Sequence, residues 1–269
     1  MALQYDTKNQ RLLYIQKKAT EEFWDDLWVD KDLRKHVVSG KNDQFVSSIT
    51  KFFISPDTNK KVIDAGCGKG QYVYSLHHQG YSAYGIDYAP KIVDAIQNAV
   101  PEINVSVGDV RNMPFSDNFF DGYWSLGVIE HFYSGYQPIL KEMHRVIKPG
   151  GFLFITFPYM SPLRRIKSFF KYYPILKNSE EEPDGFYQFA LNHRKVREDI
   201  IRYGFKSQIA FPLDGFNGLK NELASNTVTK AFHLLQKSSN PILKGLRYFF
   251  YFLFLPISGH SILMVFKKR

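Results

Sequence analysis

The sequence predicts an α/β fold in which a parallel β-sheet is covered by helices. Short apolar segments with the character of strands alternate with segments of helical periodicity between residues 61 and 157. The apolar segment 61–65 also runs directly into a glycine loop, as a buried parallel strand often does before a helix. Together these observations predict a doubly wound, Rossmann-like sheet with helices around it.

Each element of this sheet is predicted from its own residues. Strands are expected at 61–65, 82–86, 103–107, 122–126 and 152–157, with later strands at 205–211 and 260–266. Helices are expected at 72–79, 91–100, 139–147 and 196–203. The sequence Lys148-Pro149-Gly150-Gly151 predicts a turn before the strand at 152–157.

The length of 269 residues suits a single domain with insertions. We divide it into an N-terminal helical lid at 1–58, a cofactor-binding half at 59–158, and acceptor-side insertions at 159–192 and 212–258. Cys67 is the only cysteine and the N-terminus lacks the pattern of a signal peptide, so a cytoplasmic protein is expected. The net charge of +9 favours an anionic partner, either nucleic acid or an anionic membrane.

The glycine loop at 66–70 is suited to holding a polar cofactor. A helix N-terminus presents unpaired N–H groups, and glycines remove the β-carbons that would block a ligand. Dinucleotide-binding loops follow the pattern G-x-G-x-x-G. Here Gly66, Gly68 and Gly70 are present, but Gln71 stands where the third glycine of that pattern belongs. The spacing therefore disfavours a dinucleotide.

Three acidic residues at successive strand ends indicate an adenosyl cofactor. Asp64 would repel a pyrophosphate but could bind the ammonium of an amino acid, which S-adenosylmethionine carries. Asp87 ends the next strand, where a carboxylate can accept hydrogen bonds from ribose hydroxyls. Asp109 ends the third strand, placed to meet an adenine amino group. The alternative for each residue singly is a cap on the following helix.

Residues 61–157 resemble the cofactor half of the class I methyltransferases, in the small-molecule branch that includes quinone-biosynthesis enzymes. The resemblance rests on 62–70, Gly85-Ile86-Asp87, Gly108-Asp109-Val110, Met113-Pro114-Phe115, Asn118-Phe119-Phe120-Asp121, 125–132 and 140–151. It implies a seven-stranded, mostly parallel sheet with an antiparallel last strand and S-adenosylmethionine across the strand ends. The cofactor residues expected from these motifs are Asp64, Gly66, Cys67, Gly68, Gly70, Asp87, Tyr88, Asp109, Val110, Leu126 and Gly127.

The segment that follows Leu126 raises the questions of a metal and of a catalytic base. Some relatives bind a divalent metal through a Glu-Val-Ile-Glu-His run, but Gly127 replaces the first glutamate here, so no metal is expected. His131 is a candidate general base, or a helix-start histidine bonded to backbone. His193 is a second candidate base, or a surface residue that begins a helix. Methyl transfer to a phenol-like oxygen or carbanion would need no dedicated base.

Aromatic residues near the N-terminus predict a cover for the cofactor. Trp24 and Trp28 stand four residues apart on one face of a predicted helix. With Tyr14 they could form a lid over the cofactor, and the alternative is ordinary core packing.

Both insertions are basic and aromatic. The apolar run 248–257 is too short to span a membrane, for which roughly 20 residues are needed. It could lie in a membrane interface and bring the site to a lipid or isoprenoid acceptor, or it could pack over the sheet or form a dimer face. Arg164, Arg165, Lys167 and Lys171 interleave with aromatic residues and could instead track the phosphates of a nucleic acid.

The sequence thus predicts methyl transfer from S-adenosylmethionine to a small-molecule acceptor, which could be lipid-like and membrane-associated. Two alternatives stay open, an RNA methyltransferase and a non-catalytic protein that binds the cofactor and interacts with partners. Neither the acceptor nor the oligomeric state follows from the sequence.

Overall fold

A computed structural model describes residues 2–28, 32–223 and 240–269. Within these residues the main sheet has seven strands: β3 (Lys61–Ala65), β4 (Ser82–Asp87), β5 (Asn104–Val107), β6 (Phe120–Leu126), β7 (Ile147–Pro158), β9 (Phe205–Leu213) and β10 (Ser261–Lys268). Their spatial order is β5-β4-β3-β6-β7-β10-β9. β10 pairs antiparallel with both β7 and β9, and the other pairs are parallel. The predicted seven-stranded sheet with its antiparallel last strand is confirmed.

Helices cover both faces of this sheet. They are α1 (Glu21–Trp28), α2 (Leu33–Ser39), α3 (Phe45–Phe53), α4 (Gln71–His78), α5 (Pro90–Ala99), α6 (Gln137–Val146), α7 (Pro162–Phe169), α8 (His193–Arg202), α9 (Gly215–Glu222) and α10 (Pro241–Ser258). In β3, Val62 packs with the side chains of α2 to α5, whereas Ile63 packs with those of α6 and α8. Successive side chains of a strand point to opposite faces, so a buried strand must be apolar on both.

The turn predicted at 148–151 is only partly correct. These residues lie inside β7, whose pairing with β6 shifts register between Phe120 and Gly122. Gly150 adopts a φ of 78°, a left-handed conformation that glycine takes at little cost. The residues that predict a turn therefore form an irregularity within β7. The strand continues because Ile147 before them and Phe152 after them both pair with β6.

The expected helical lid at 1–58 is wrong for its first part. Residues 2–15 form a hairpin of β1 (Ala2–Asp6) and β2 (Arg11–Ile15), and β2 pairs with β8 (Phe186–Ala190) from the first insertion. Leu12, Leu13 and Tyr14 are all buried, because the small sheet is covered on both faces. The three-stranded sheet depends on pairing between distant segments, which local sequence patterns do not report.

A buried ion pair joins the two insertions. Arg164 of α7 is fully buried and donates from Nε to Oε1 of Glu222 at the end of α9, at 2.9 Å. Lys167 and Tyr173 also donate to Glu222. Burial opposes ionisation of Glu222, but the bonds from Lys167, Tyr173 and Arg164 hold its pKa below the ordinary value. The insertions therefore form one cap on the sheet, although residues 224–239 of the second lie outside the described part.

No helix among the described residues is long and apolar enough to cross a membrane.

We predict that Glu222→Gln lowers the free energy of unfolding by about 3 kcal/mol, because it leaves the Arg164 charge buried without its ionic partner. Chemical denaturation measures the change. Glu180→Gln is the matched control, since Glu180 forms an exposed ion pair with Lys8 and its loss should leave stability unchanged. Equal stability of Glu222→Gln and the parent would contradict this account of the cap.

Candidate active site

Two adjoining cavities lie at the carboxyl ends of the sheet strands. The first has a volume of about 290 Å³ and includes Trp24, Asp87, Tyr88, Asp109, Val110 and His131 in its wall. The second, of about 490 Å³, includes Asp64, Cys67, Gly68, Thr156, Asp214 and Tyr251. Trp28, Gly66, Leu126 and Gly127 line both. Together the cavities contain every predicted cofactor residue except Gly70.

The glycine loop has little room for side chains at Gly66 and Gly68. Gly66 has a φ of 86°, and a β-carbon there would lie 2.5 Å from Cγ2 of Val128. A β-carbon on Gly68, whose φ is 48°, would lie 3.3 Å from the ring of Trp28. Gly70 is the N-cap of α4, with a φ of 77°, so its role is to turn the chain into the helix. The backbone of the loop therefore faces the second cavity, while Val128 and Trp28 pack closely against Gly66 and Gly68.

Asp87 both organises the loop and faces the first cavity. Its Oδ2 accepts a hydrogen bond from the N–H of Gly68 at 2.8 Å, and its Oδ1 accepts one from Ala89 at 3.1 Å. Burial raises the pKa of this carboxyl, and the backbone hydrogen bonds oppose the rise. Each carboxylate oxygen can accept a second hydrogen bond. Asp87 is not the N-cap of α5, which is Ala89, but its carboxylate binds the N–H of that residue and also lines the cavity.

Asp64 is a buried carboxyl with an unpartnered oxygen. Its Oδ1 has no hydrogen-bond partner among the described residues, and the side chain is 1% exposed. Burial, reinforced by the charge of Asp87, raises its pKa well above the ordinary value. A buried carboxyl without a partner is costly. A cationic ligand in the second cavity would supply the missing interaction, so the residue fits the ammonium of S-adenosylmethionine.

The other walls of the first cavity come from the ends of β4 and β5. Tyr88 contributes its ring, and burial raises the pKa of its hydroxyl to about 12. Asp109 is bound through both carboxylate oxygens by Arg111, with a shortest distance of 2.6 Å. An adenine amino group would therefore have to share Asp109 with Arg111. Val110 adds an apolar surface next to it.

Both N-terminal tryptophans lie over the site. Their rings stack at 5.7 Å between centroids, and both line the first cavity. α1 is held in place by Asp25, whose carboxylate accepts a hydrogen bond from the N–H of Ile92 on α5. Tyr14 is not part of this cover, because it is buried among Leu12, Met160, Tyr173 and Ala190.

His131 is presented to the first cavity as a neutral imidazole. Its Nδ1 lies 2.7 Å from the carbonyl oxygen of Tyr187 in β8, so Nδ1 carries the proton and Nε2 has a free lone pair. Burial lowers the pKa of His131 to about 4. The ring of Trp24 packs edge-on against it at 5.1 Å. The three-stranded sheet thus sets the orientation of this side chain.

The structure separates His193 from His131. His193 is the first residue of α8, packs edge-on against Tyr159 at 5.3 Å between ring centroids, and lines neither cavity. Burial and the nearby charges of Arg165, Arg194 and Arg197 lower its pKa to about 4. The structure thus places His193 outside the walls of both cavities, and its role as a catalytic base stays a prediction.

Several residues of the site were not predicted from the sequence. They are Arg111, Val128, Thr156, Asp214 and Tyr251, together with the carbonyl of Tyr187. Arg111 had a local signal, since it stands two residues after Asp109. The others reach the site through tertiary packing alone. No cluster of three or more His, Cys, Asp or Glu side chains within the described ranges could hold a metal ion.

Comparisons with known proteins agree with this geometry. Residues 63–155 match the family model for a methyltransferase domain. The chain is 37% identical over 109 residues to the probable tRNA methyltransferase 9B of Mus musculus, covering 40% of this chain and 24% of the relative. It is 27% identical over 155 residues to the demethylmenaquinone methyltransferase of Geobacillus sp. (strain WCH70), covering 55% of this chain and 62% of the relative. The chain thus spans less than two thirds of the length of these curated relatives.

A solved structure extends the likeness of the fold to most of the chain. The TehB-like S-adenosylmethionine-dependent methyltransferase from Corynebacterium glutamicum superposes with a TM-score of 0.52 at 19% identity, covering 93% of this chain and 98% of the other. The sheet order, the matched segment and the glycine loop agree on one assignment. The chain has the class I methyltransferase fold, and its residues 63–155 match the methyltransferase domain family.

Proposed function

We propose that this protein transfers a methyl group from S-adenosylmethionine to a small-molecule acceptor. The observation that carries the proposal is the pair of adjoining cavities, one lined by Asp87 and His131 and the other by Asp64. S-adenosylmethionine supplies an electrophilic methyl group on a sulfonium. The protein's part is to hold the two reactants close and aligned and to keep water away.

The first cavity fits the adenosine part of the cofactor. Asp87 offers carboxylate oxygens to ribose hydroxyls, while Tyr88 and Val110 offer apolar surface to a base. Asp64 would receive the ammonium of the amino acid part through its unpartnered oxygen. Leu126 and Gly127, which line both cavities, mark the point where cofactor and acceptor would meet.

His131 lines the first cavity, so we propose it as the general base for an acceptor whose reacting atom passes Leu126 and Gly127 from the second cavity into the first. Its Nε2 can accept a proton because Nδ1 is committed to the Tyr187 carbonyl. The lowered pKa keeps the imidazole unprotonated at neutral pH, which suits an acceptor that loses a proton on methylation. A low pKa also makes the base weak, so positioning remains the larger contribution.

We infer that the acceptor is lipid-like and is met at a membrane surface. The second cavity has apolar walls from Phe45, Leu126, Leu213 and Tyr251, the last two from the second insertion. The similarity to a demethylmenaquinone methyltransferase, whose name states a quinone acceptor, favours the same class here.

RNA methylation is the second candidate, favoured by the similarity to a protein named as a tRNA methyltransferase. The proposed phosphate-tracking residues do not all support it. Arg164 is fully buried, Lys167 is paired with Glu222, and Arg165 donates to the Met160 carbonyl and to Asn192, so Lys171 is the most exposed of the four. The third candidate is a protein that binds the cofactor without catalysis. Such a protein would bind S-adenosylmethionine but release no adenosylhomocysteine with any acceptor.

We predict that Asp87→Asn weakens S-adenosylmethionine binding roughly ten- to hundredfold, because it removes a charged acceptor of hydrogen bonds. Titration calorimetry measures the affinity. Asp94→Asn on the exposed side of α5 is the matched control and should bind as the parent does. Unchanged affinity of Asp87→Asn would place the cofactor elsewhere.

Trp24→Ala is expected to weaken cofactor binding about tenfold, since it opens the cover on the first cavity and removes buried apolar surface. Leu27→Ala, an exposed residue of the same helix, controls for changes in α1. If calorimetry finds Trp24→Ala binding as tightly as the parent, the tryptophans are core residues and no lid exists.

Incubation with radiolabelled S-adenosylmethionine and separate lipid, small-molecule and RNA fractions should label the lipid or small-molecule fraction. His131→Asn should bind the cofactor normally but transfer label about a hundredfold more slowly. His193→Asn is the matched control and should transfer label at the parent's rate. Label in RNA alone would replace the proposal with the second candidate, and no label anywhere would favour a non-catalytic role.

The pH profile gives a separate check on His131. An ordinary histidine is largely protonated below about pH 6.5. Because the pKa of His131 is lowered to about 4, it stays neutral in that range. The transfer rate should therefore hold constant from neutrality down to about pH 5.5. A decline centred on the ordinary histidine pKa would show that His131 is not held as described.

A further inference from the structure

One surface of the cap exposes large apolar side chains. We call it the cap face and define it by two groups of residues. The first group belongs to α7 and the segment after it: Ile166, Phe169, Phe170, Tyr172 and Ile175. The second group belongs to α10: Leu246, Tyr248, Phe249, Phe252, Leu253 and Ile257. α7 and α10 pack against each other, so the two groups are adjacent. Phe169 is 80% exposed and Phe252 is 67% exposed.

From Phe250 to Ser258 the exposure of α10 is confined to one side of the helix, and the opposite side is held by packing. Phe250 and Phe254 stack on each other at 5.8 Å, on the half-buried side. α9 packs directly on the helix backbone, since a β-carbon on Gly215 would lie 2.6 Å from Cα of Leu255. Ser258 donates a hydrogen bond to the carbonyl of Gly215 at 2.8 Å. The apolar side that remains exposed therefore belongs to a helix already anchored on its other side.

The charged side chains within the two segments that form the cap face are all basic. Neither segment 162–177 nor segment 240–269 contains an acidic residue, and Lys171, Lys177 and Lys244 are exposed within them. A second copy of this chain docking through the same face would bring like charges together. The aliphatic side chains do not stack on nucleic-acid bases as aromatic rings do. Exposed aromatic and aliphatic residues beside lysines fit the interface of an anionic bilayer.

We propose that the cap face is a docking surface for anionic membranes. The aromatic and aliphatic side chains enter the headgroup region, and the lysines bind lipid phosphates. α10 also carries Tyr251, which lines the second cavity. One helix therefore joins the docked surface to the site of the acceptor, and a lipid-like molecule would reach the cavity along it. This last step rests on the proposed function, whereas the docking itself does not.

Flotation of the full chain with defined vesicles tests the docking. The chain should float with vesicles made of equal parts phosphatidylcholine and phosphatidylglycerol, and far less with phosphatidylcholine alone. Phe249→Ser combined with Phe252→Ser should reduce the bound fraction at least about tenfold. Lys171→Ser should weaken binding roughly fivefold, and added salt should weaken it further. Phe52→Ser is the matched control, because Phe52 is 81% exposed on α3, outside the cap face.

Calorimetry with adenosylhomocysteine shows that each variant is folded and separates this proposal from the previous one. A parent chain that binds adenosylhomocysteine but does not float with anionic vesicles overturns the docking and leaves methyl transfer intact. A chain that floats but labels no acceptor overturns methyl transfer and leaves docking intact.

Light scattering that finds a dimer, which the Phe249→Ser and Phe252→Ser changes dissociate, would assign the cap face to a second copy of the chain. Loss of RNA binding in that variant, without vesicle binding by the parent, would assign it to RNA.

Discussion

The glycine loop after β3 is confined on three sides, and the site depends on that confinement. Val128 lies against Gly66, the ring of Trp28 lies against Gly68, and Asp87 accepts the Gly68 N–H at 2.8 Å. A side chain at Gly66 would collide with Val128, and one at Gly68 would crowd the ring of Trp28. These contacts fix the conformation of the loop, whose backbone faces the cavities. Asp64 and Asp87 lie close enough for their negative charges to repel each other, which raises the pKa of Asp64.

The position of this loop follows from the strand order. β3 lies between β4 and β6, so the ends of β4 and β5 form the first cavity on one side. The ends of β6, β7, β10 and β9 continue the edge on the other side, where Leu126, Thr156, Ser261 and Leu213 line the second cavity. A cofactor and an acceptor can thus share one edge of one sheet, which accords with ligand binding at the carboxyl ends of strands in open α/β sheets.

The segments added to the sheet act on the site by different means. The hairpin at residues 2–15 pairs with β8, and β8 fixes the tautomer of His131 through the Tyr187 carbonyl. Glu222 joins the two insertions by binding Arg164 and Lys167. These two cations, which the sequence alone offers as ligands for a phosphate, therefore stabilise the interior of the cap. What remains at the surface of the cap is mainly apolar, with lysines around it.

The sequence by itself determined the sheet strands and most of the residues that line the two cavities, because both follow from local patterns. Apolar runs ending in glycine or aspartate mark the strand ends that form the site, and Gly66, Asp87 and Leu126 were found in this way. Only the tertiary structure decided the hairpin, the position of His193 outside both cavities and the burial of Arg164. Pairing between segments far apart in the chain, and the burial of a charge by a distant partner, leave no periodic signal in a sequence.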